Sequence, residues 1–79
     1  MRYELYEGPV SEFEDLYIDV IYYRTDDKDE IVNAINEYMS TYYNDDTNAD
    51  EVLTVLDRET GKYMMPSEFM NQLLQESKN

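Results

Sequence analysis

Carboxylates dominate this sequence and limit the ways in which it can fold. Nineteen Asp and Glu residues face six Lys and Arg residues, which gives a formal net charge of −13 in 79 residues. A small domain ordinarily carries a net charge of magnitude about 2–8, so mutual repulsion must cost this chain stability. The same charge repels nucleic acids and anionic lipids, and it attracts basic protein surfaces.

The apolar residues are sufficient for one core. Hydrophobic residues make up 42% of the chain and include nine tyrosines, which is too apolar a composition for an obligatorily disordered protein. The length is close to the lower limit for a single core without disulfides or metals. We therefore expect one domain over residues 1–76 and a frayed tail over 77–79. No apolar run is long enough to span a membrane, so the sequence predicts a soluble, cytoplasmic protein.

The missing residue types exclude several kinds of chemistry. The chain has no cysteine and no histidine, which removes disulfides, thiolate ligands and the commonest general base. Catalysis by paired carboxylates needs one of them in an apolar pocket. Only Asp19, between Ile18 and Val20, is a candidate for burial, and strand alternation predicts that it points outward. We expect a protein that is not an enzyme and that needs no cofactor.

The first part of the chain predicts one strand and one ambiguous segment. Residues 2–7 alternate in type and end at Gly8 and Pro9, which is typical of a short strand. Residues 11–24 carry apolar residues both at helical spacing and in alternation. Because 16–24 is dense in β-branched and aromatic residues, a strand is favoured there. A helix over 11–24 is the alternative, and it would give an α-rich domain with one hairpin.

A helix beginning after Asp27 is the clearest element. Asp27 with Glu30 three residues later fits a capping box, and acidic residues are favoured at the positive end of the helix dipole. The predicted buried stripe of this helix consists of Ile31, Ile35, Tyr38, Met39 and Tyr42. Val32 and Ala34 add apolar surface beside it.

The last part of the chain predicts a hairpin followed by a second helix. Two strands, 51–57 and about 62–65, flank a turn in which Gly61 supplies a positive φ. Pro66 ends the second strand and Ser67 is expected to cap the last helix, with Phe69, Met70, Leu73 and Leu74 facing inward. The predicted fold is therefore α+β, in the order β-β-α-β-β-α, with a small antiparallel sheet and both helices on one face.

The loop after the first helix contains part of a calcium-binding pattern. Asp46, Asn48 and Asp50 match the first three ligand positions of an EF-hand loop. In that register Glu51 takes the place of the required glycine, and Asp57 takes the place of the bidentate glutamate. We therefore expect a connecting loop rich in Asn and Asp turns, and no metal site.

Two acidic clusters flank the predicted first helix and are the candidate partner-binding residues. Asparagine and aspartate favour loops. Tyrosine beside carboxylates makes a competent protein interface, so Tyr43 is the candidate aromatic anchor. The clusters lie either on one elongated face or at opposite ends of the molecule. The candidate residues are Asp26, Asp27, Asp29, Glu30, Tyr43, Asp45, Asp46, Asp50 and Glu51.

In size, acidity and lack of cysteine, the chain resembles small inhibitors of phages and mobile elements. These include antirestriction DNA mimics, anti-CRISPR proteins and the uracil-DNA glycosylase inhibitor. The resemblance is one of composition and transfers no functional residues. It implies a protein partner with a basic groove, such as a nucleic-acid-binding enzyme, in a bacterial or phage-infected cell, without direct binding to nucleic acid or membrane. The alternative is an accessory or regulatory module of a phage, plasmid or bacterium, acidic for solubility or docking.

Overall fold

The computed structural model describes residues 1–9, 21–43 and 47–77. The elements, in chain order, are strands β1 (Tyr3–Glu7) and β2 (Ile21–Thr25), helix α1 (Lys28–Tyr42), a 3₁₀ helix (Ala49–Glu51), strands β3 (Leu53–Asp57) and β4 (Lys62–Met64), and helix α2 (Pro66–Ser77). The predicted α+β class is confirmed. The predicted order is matched only roughly, because a 3₁₀ helix lies before β3.

The four strands form one antiparallel sheet in the order β2-β1-β3-β4. The inner pair is regular, with Tyr3 opposite Asp57 and Leu5 opposite Val55. The turn between β3 and β4 closes as predicted, because Gly61 has φ +73° and its N–H donates to the carbonyl of Asp57 at 2.7 Å. Because neighbouring strands are antiparallel, the start of β1 and the ends of β2 and β3 lie at the same end of the sheet.

Helices α1 and α2 pack on one face of the sheet over a single core. Side chains alternate along a strand, so Tyr3 and Leu5 of β1 lie on the same face as Leu53 and Val55 of β3. An edge-to-face contact between Tyr3 and Phe69, with ring centroids 5.6 Å apart, joins α2 to this core. The buried core residues are Tyr3, Leu5, Ile31, Ala34, Ile35, Tyr38, Leu53, Val55 and Phe69.

The other face of the sheet buries a charged network. Glu4 is only 3% exposed, and its carboxylate oxygens are 3.1 Å from Nε of Arg24 and 2.9 Å from Nε of Arg58. The hydroxyl of Tyr6 also donates to Glu4 at 2.9 Å. A buried charge is tolerated only when it is paired and hydrogen-bonded, and Glu4 meets both conditions.

The structure corrects two predictions about helix packing. Tyr42 was expected in the buried stripe of α1 and Leu74 on the inner side of α2, but they are 61% and 60% exposed. Both lie in the last turns of their helices, beyond the part that covers the sheet. The predicted burial of Ile31, Ile35 and Phe69 is confirmed.

Two predictions about element boundaries are also wrong. Glu51 was expected to begin a strand, but it ends the 3₁₀ helix, and β3 begins at Leu53. Ser67 was expected to cap the last helix, but α2 begins at Pro66, because a proline at the first helical position has no N–H to leave unpaired. Of the ambiguous segment 11–24, residues 21–24 lie in a strand, and residues 11–20 lie outside the described residues. Neither described helix has the length and apolar character that a membrane span requires.

Candidate functional site

At the junction between β2 and α1, Thr25 links the two residues of the predicted capping box, Asp27 and Glu30. Asp27 is the N-cap, and its carboxylate accepts a hydrogen bond from the N–H of Asp29 at 2.8 Å. The Asp27 N–H does not reach Glu30 directly. It donates to Oγ1 of Thr25 at 3.0 Å, and the Thr25 hydroxyl donates to Glu30 at 2.6 Å. The buried Thr25 thereby fixes where the carboxylate of Glu30 lies.

The first acidic cluster, Asp26, Asp27, Asp29 and Glu30, is assembled at this junction. All four residues are exposed. Asp26 accepts a hydrogen bond from the backbone N–H of Arg2 at 2.8 Å, and Asp27 serves as the cap. Capping explains why acidic residues stand here, and it leaves their outer oxygens open to solvent.

A groove of about 500 Å³ runs between β2 and the exposed side of α1. Its described lining residues are Tyr22, Tyr23, Glu30, Asn33, Ala34 and Glu37. None of these residues is basic. The groove is thus bounded by tyrosine rings on the strand side and by two carboxylates and an amide on the helix side.

A bulge in β2 brings both tyrosines to this groove. Tyr23 pairs with Leu5, whereas Ile21 pairs with Tyr6, so the register shifts and Tyr22 is an extra residue. Alternation places neighbouring strand residues on opposite faces of a sheet. The bulge interrupts this alternation, and both tyrosines line the groove. The hydroxyl of Tyr23 donates to Glu30 at 3.1 Å.

Tyr38 anchors the aromatic wall of the groove from beneath. Its ring meets Tyr22 edge to face at 4.9 Å and lies 4.9 Å from Tyr42 and 5.9 Å from Tyr43. Burial, with the negative charge of Glu7 next in importance, raises the pKa of Tyr38 to about 12. The pKa of Tyr22 is also raised, by burial first and by Glu37 second. These rings therefore stay neutral at physiological pH and offer π faces and hydroxyl groups.

The basic residues of the described chain are engaged away from this groove. Lys28 pairs with Glu76 of α2, and Lys62 pairs with Glu68 at 2.7 Å. The three arginines pair with Glu4, Asp57 and Glu59. None of the ion pairs between described residues uses a carboxylate of α1 or its N-cap. Among the described residues, no basic side chain therefore forms an ion pair with Glu30 or Glu37, and both carboxylates lie beside the tyrosines.

The second acidic cluster lies at the other end of α1. Asp27 and Tyr43 flank the helix as its two caps, so sixteen residues place them about 24 Å apart at a rise of about 1.5 Å per residue. Asp45 and Asp46 lie outside the described residues. Glu51 and Tyr43 are exposed, as expected for Tyr43. Among the described residues, the first cluster and Tyr43 therefore lie at opposite ends of the helix.

Asp50, a member of the second cluster, has a structural role. Its carboxylate accepts from the N–H of Ser67 at 2.9 Å and from the Ser67 hydroxyl at 2.5 Å. It therefore caps the N-terminus of α2 from 17 residues away. Asn48 in turn accepts from the N–H of Asp50 at 3.0 Å. Two of the three oxygen ligands in the calcium-like pattern are thus turned to backbone capping.

The described residues contain no group of three or more acidic side chains arranged to hold a metal ion. The carboxylates at the β2–α1 junction point to separate protein donors, and Asp50 is held at the start of α2. In chemical terms, the site in this part of the chain offers ionised oxygens and aromatic hydroxyls to a partner.

Sequence reasoning missed four residues of the groove as members of a binding site. These residues are Tyr22, Tyr23, Asn33 and Glu37. A signal for two of them was present, because Glu30, Asn33 and Glu37 recur at spacings that place them on one side of a helix. No local signal indicated the bulge that adds the two tyrosines.

Comparison with known proteins gives no relative for this chain. No protein-family model matches it, and no curated protein or solved structure matches it significantly.

Proposed function

We propose that this protein is a non-catalytic binding protein that docks a basic surface of another protein against the β2–α1 groove. The observation that carries the proposal is the distribution of ion pairs. The described basic side chains are engaged with carboxylates elsewhere, while Glu30 and Glu37 stand beside Tyr22 and Tyr23. An arginine or lysine entering the groove would meet both carboxylates and aromatic faces, a combination that favours cations.

A non-catalytic role is supported by the state of the two carboxylates that are buried among the described residues. A general acid needs a carboxyl group with a raised pKa. The guanidinium of Arg2 lowers the pKa of Asp57 instead, and Glu4 is held between two arginines. Both residues are therefore engaged in ion pairs that hold the fold, and neither lines the groove.

The partner that we propose is a nucleic-acid-handling enzyme, whose basic groove the acidic surface would occupy. The net charge of −13 supports this choice, because such grooves attract dense negative charge. The carboxylates of Asp27, Glu30 and Glu37 span about 15 Å along α1, from a rise of about 1.5 Å per residue. One strand of DNA carries a charge about every 3.4 Å, so this row imitates the phosphates only in part, and the tyrosines supply the remaining contact.

The experiment is an affinity purification from a bacterial lysate at low salt, followed by titration of the purified partner. The wild-type protein is compared with Glu30→Gln/Glu37→Gln. The matched control is Glu59→Gln/Glu68→Gln, which removes the same number of charges outside the groove. We expect the groove variant to bind at least tenfold more weakly than the control, since two charge-assisted contacts are lost.

Competition with duplex DNA decides the class of the partner. DNA that displaces the protein, together with a steep loss of affinity as salt rises, supports occupation of a nucleic-acid groove. Binding that DNA does not disturb would replace this partner with an ordinary basic protein, and the accessory-module alternative would then stand. Equal affinities of the groove and control variants would overturn the groove itself.

A further inference from the structure

A second groove, of about 580 Å³, lies between α1 and α2 on the other side of α1. Its described lining residues are Asp29, Val32, Met70, Leu73, Leu74 and Glu76. The first groove uses Glu30, Asn33 and Glu37, so the two grooves share a helix but no residue. The second groove is a separate surface with its own chemistry.

The floor of this groove is apolar and partly open to water. Met70 and Leu73 pack against the core while remaining half-buried, Val32 is also half-buried, and Leu74 is 60% exposed. Aliphatic side chains from two neighbouring helices thus form one continuous strip. Such a strip gains free energy when another apolar surface covers it.

The rim of the groove is acidic. Asp29 stands on the α1 side and Glu76 on the α2 side. Lys28 reaches across to Glu76 and joins the two helices at one end. The last turn of α2 contains no basic residue, although the C-terminal end of a helix carries a partial negative charge that favours cations. The edges of the apolar strip therefore suit positive charges.

Charge also decides between possible occupants. A second copy of this chain would bring another net charge of −13 against the same rim, and like charges at an interface oppose association. Asp29 forms no ion pair with a described residue, so an acidic helix would be repelled by it and a neutral helix would leave it without a cation. A helix with an apolar stripe bordered by lysine or arginine satisfies both the floor and the rim.

We propose that the α1–α2 groove binds the apolar face of a basic amphipathic helix from a protein partner. Helix-in-groove recognition uses apolar anchors at i, i+3, i+4 and i+7, and Leu73, Leu74 and Met70 of α2 supply the complementary strip. This proposal is independent of the β2–α1 groove, because the two surfaces have no residue in common.

The test uses a synthetic peptide of about 18 residues with leucines at helical spacing and lysines elsewhere. A second peptide of identical composition has its leucines redistributed so that no apolar face forms. Binding is measured by calorimetry, and methyl NMR locates the contact. We expect the amphipathic peptide to bind at least fivefold more tightly and to perturb the methyl groups of Val32, Met70, Leu73 and Leu74.

Two uncharged variants separate groove binding from general attraction to an acidic protein. Leu74→Gln should weaken the amphipathic peptide about tenfold, since a leucine contact is lost. Met65→Gln, at an exposed methionine before α2, should leave the affinity unchanged. Equal binding of the two peptides, or an unchanged affinity of Leu74→Gln, would overturn the proposal. Glu37→Gln reports on the other groove and should not alter the methyl perturbations.

Discussion

Of the described carboxylates, Glu4 and Asp57 are buried, on opposite faces of the sheet, and all three arginines pair with them or with Glu59. Asp57 accepts two hydrogen bonds from Arg2, both at 3.1 Å, and a third from the N–H of Glu59 at 3.0 Å. Arginine suits this role because its planar fork matches a carboxylate. At the residue scale, the arginines thus pair mainly with the carboxylates that burial removes from water.

Replacing Asp57 with Asn should lower the free energy of unfolding by about 1–2 kcal/mol at neutral pH, because the bonds to Arg2 lose their charge. The loss is no larger because the side chain of Arg2 is 38% exposed and water screens its charge. Urea denaturation measures the loss. Glu59→Gln is the control, since Glu59 also pairs with Arg2 but is 67% exposed, and it should change stability by less than about 0.5 kcal/mol.

Wild type and Asp57→Asn together also test the direction of the pKa shift of Asp57. Arg2 first, and the N–H of Glu59 in addition, hold this pKa below its ordinary value of 3.8. A depressed folded pKa contributes stability above 3.8, and the contribution is lost as the pH falls through the folded pKa. The stability difference between wild type and Asp57→Asn should therefore be constant above about pH 5 and shrink below about pH 4. A difference that persists at pH 2 would contradict the assignment.

The N-termini of the two helices are capped in different ways. At α1 the cap is local, since Asp27, Thr25 and Glu30 lie within six residues of one another. At α2 the cap comes from Asp50 in the 3₁₀ helix. The sequence predicted the first cap because its signals are adjacent in the chain. The sequence pattern assigned the second cap to Ser67, the nearest residue of a type that caps helices. A cap from a residue distant in the chain, such as Asp50, leaves no local pattern.

Asp50→Ala should therefore destabilise the protein by about 1–2 kcal/mol, the usual cost of losing an N-cap. Glu51→Ala is the matched control, because Glu51 is the exposed neighbour and should change stability by less than about 0.5 kcal/mol. Thermal and urea unfolding measure both variants. Equal stabilities of the two variants would mean that Asp50 does not cap α2, and Asp50 would return to the candidate contact residues.

At the scale of the whole molecule, charge is divided unevenly among the described residues. Apart from Lys28 at the start of α1, the paired cations and their carboxylate partners lie on or beside the sheet, on the β3–β4 turn and on α2. The N-terminal junction and exposed side of α1 carry carboxylates that no described ion pair uses. The resulting field both opposes folding and attracts basic surfaces. Helix α1 lines both grooves, so one element contributes acidic residues to both proposed contacts.

Added salt should stabilise this protein. Raising monovalent salt from about 0.02 to about 0.5 M shortens the screening length below the spacing of most surface charges, so repulsion among the carboxylates weakens. We expect Tm to rise by about 5 °C, which corresponds to about 1 kcal/mol in a domain of this size. The rise should be smaller in Glu30→Gln/Glu37→Gln. A Tm that falls with salt would show that ion pairs outweigh repulsion.

The sequence by itself determined the α+β class, the start of α1, the burial of Ile31, Ile35 and Tyr38 in its stripe, and the turn at Gly61. These features depend on hydrophobic period, capping residues and backbone freedom, all of which act between residues close in the chain. Only the tertiary structure decided that Tyr22 and Tyr23 share a groove, that Asp50 caps α2, and that Leu74 remains exposed. Strand register, a cap from a distant loop and the reach of a helix over a sheet are set by contacts between residues far apart in sequence. A local pattern carries no record of such contacts.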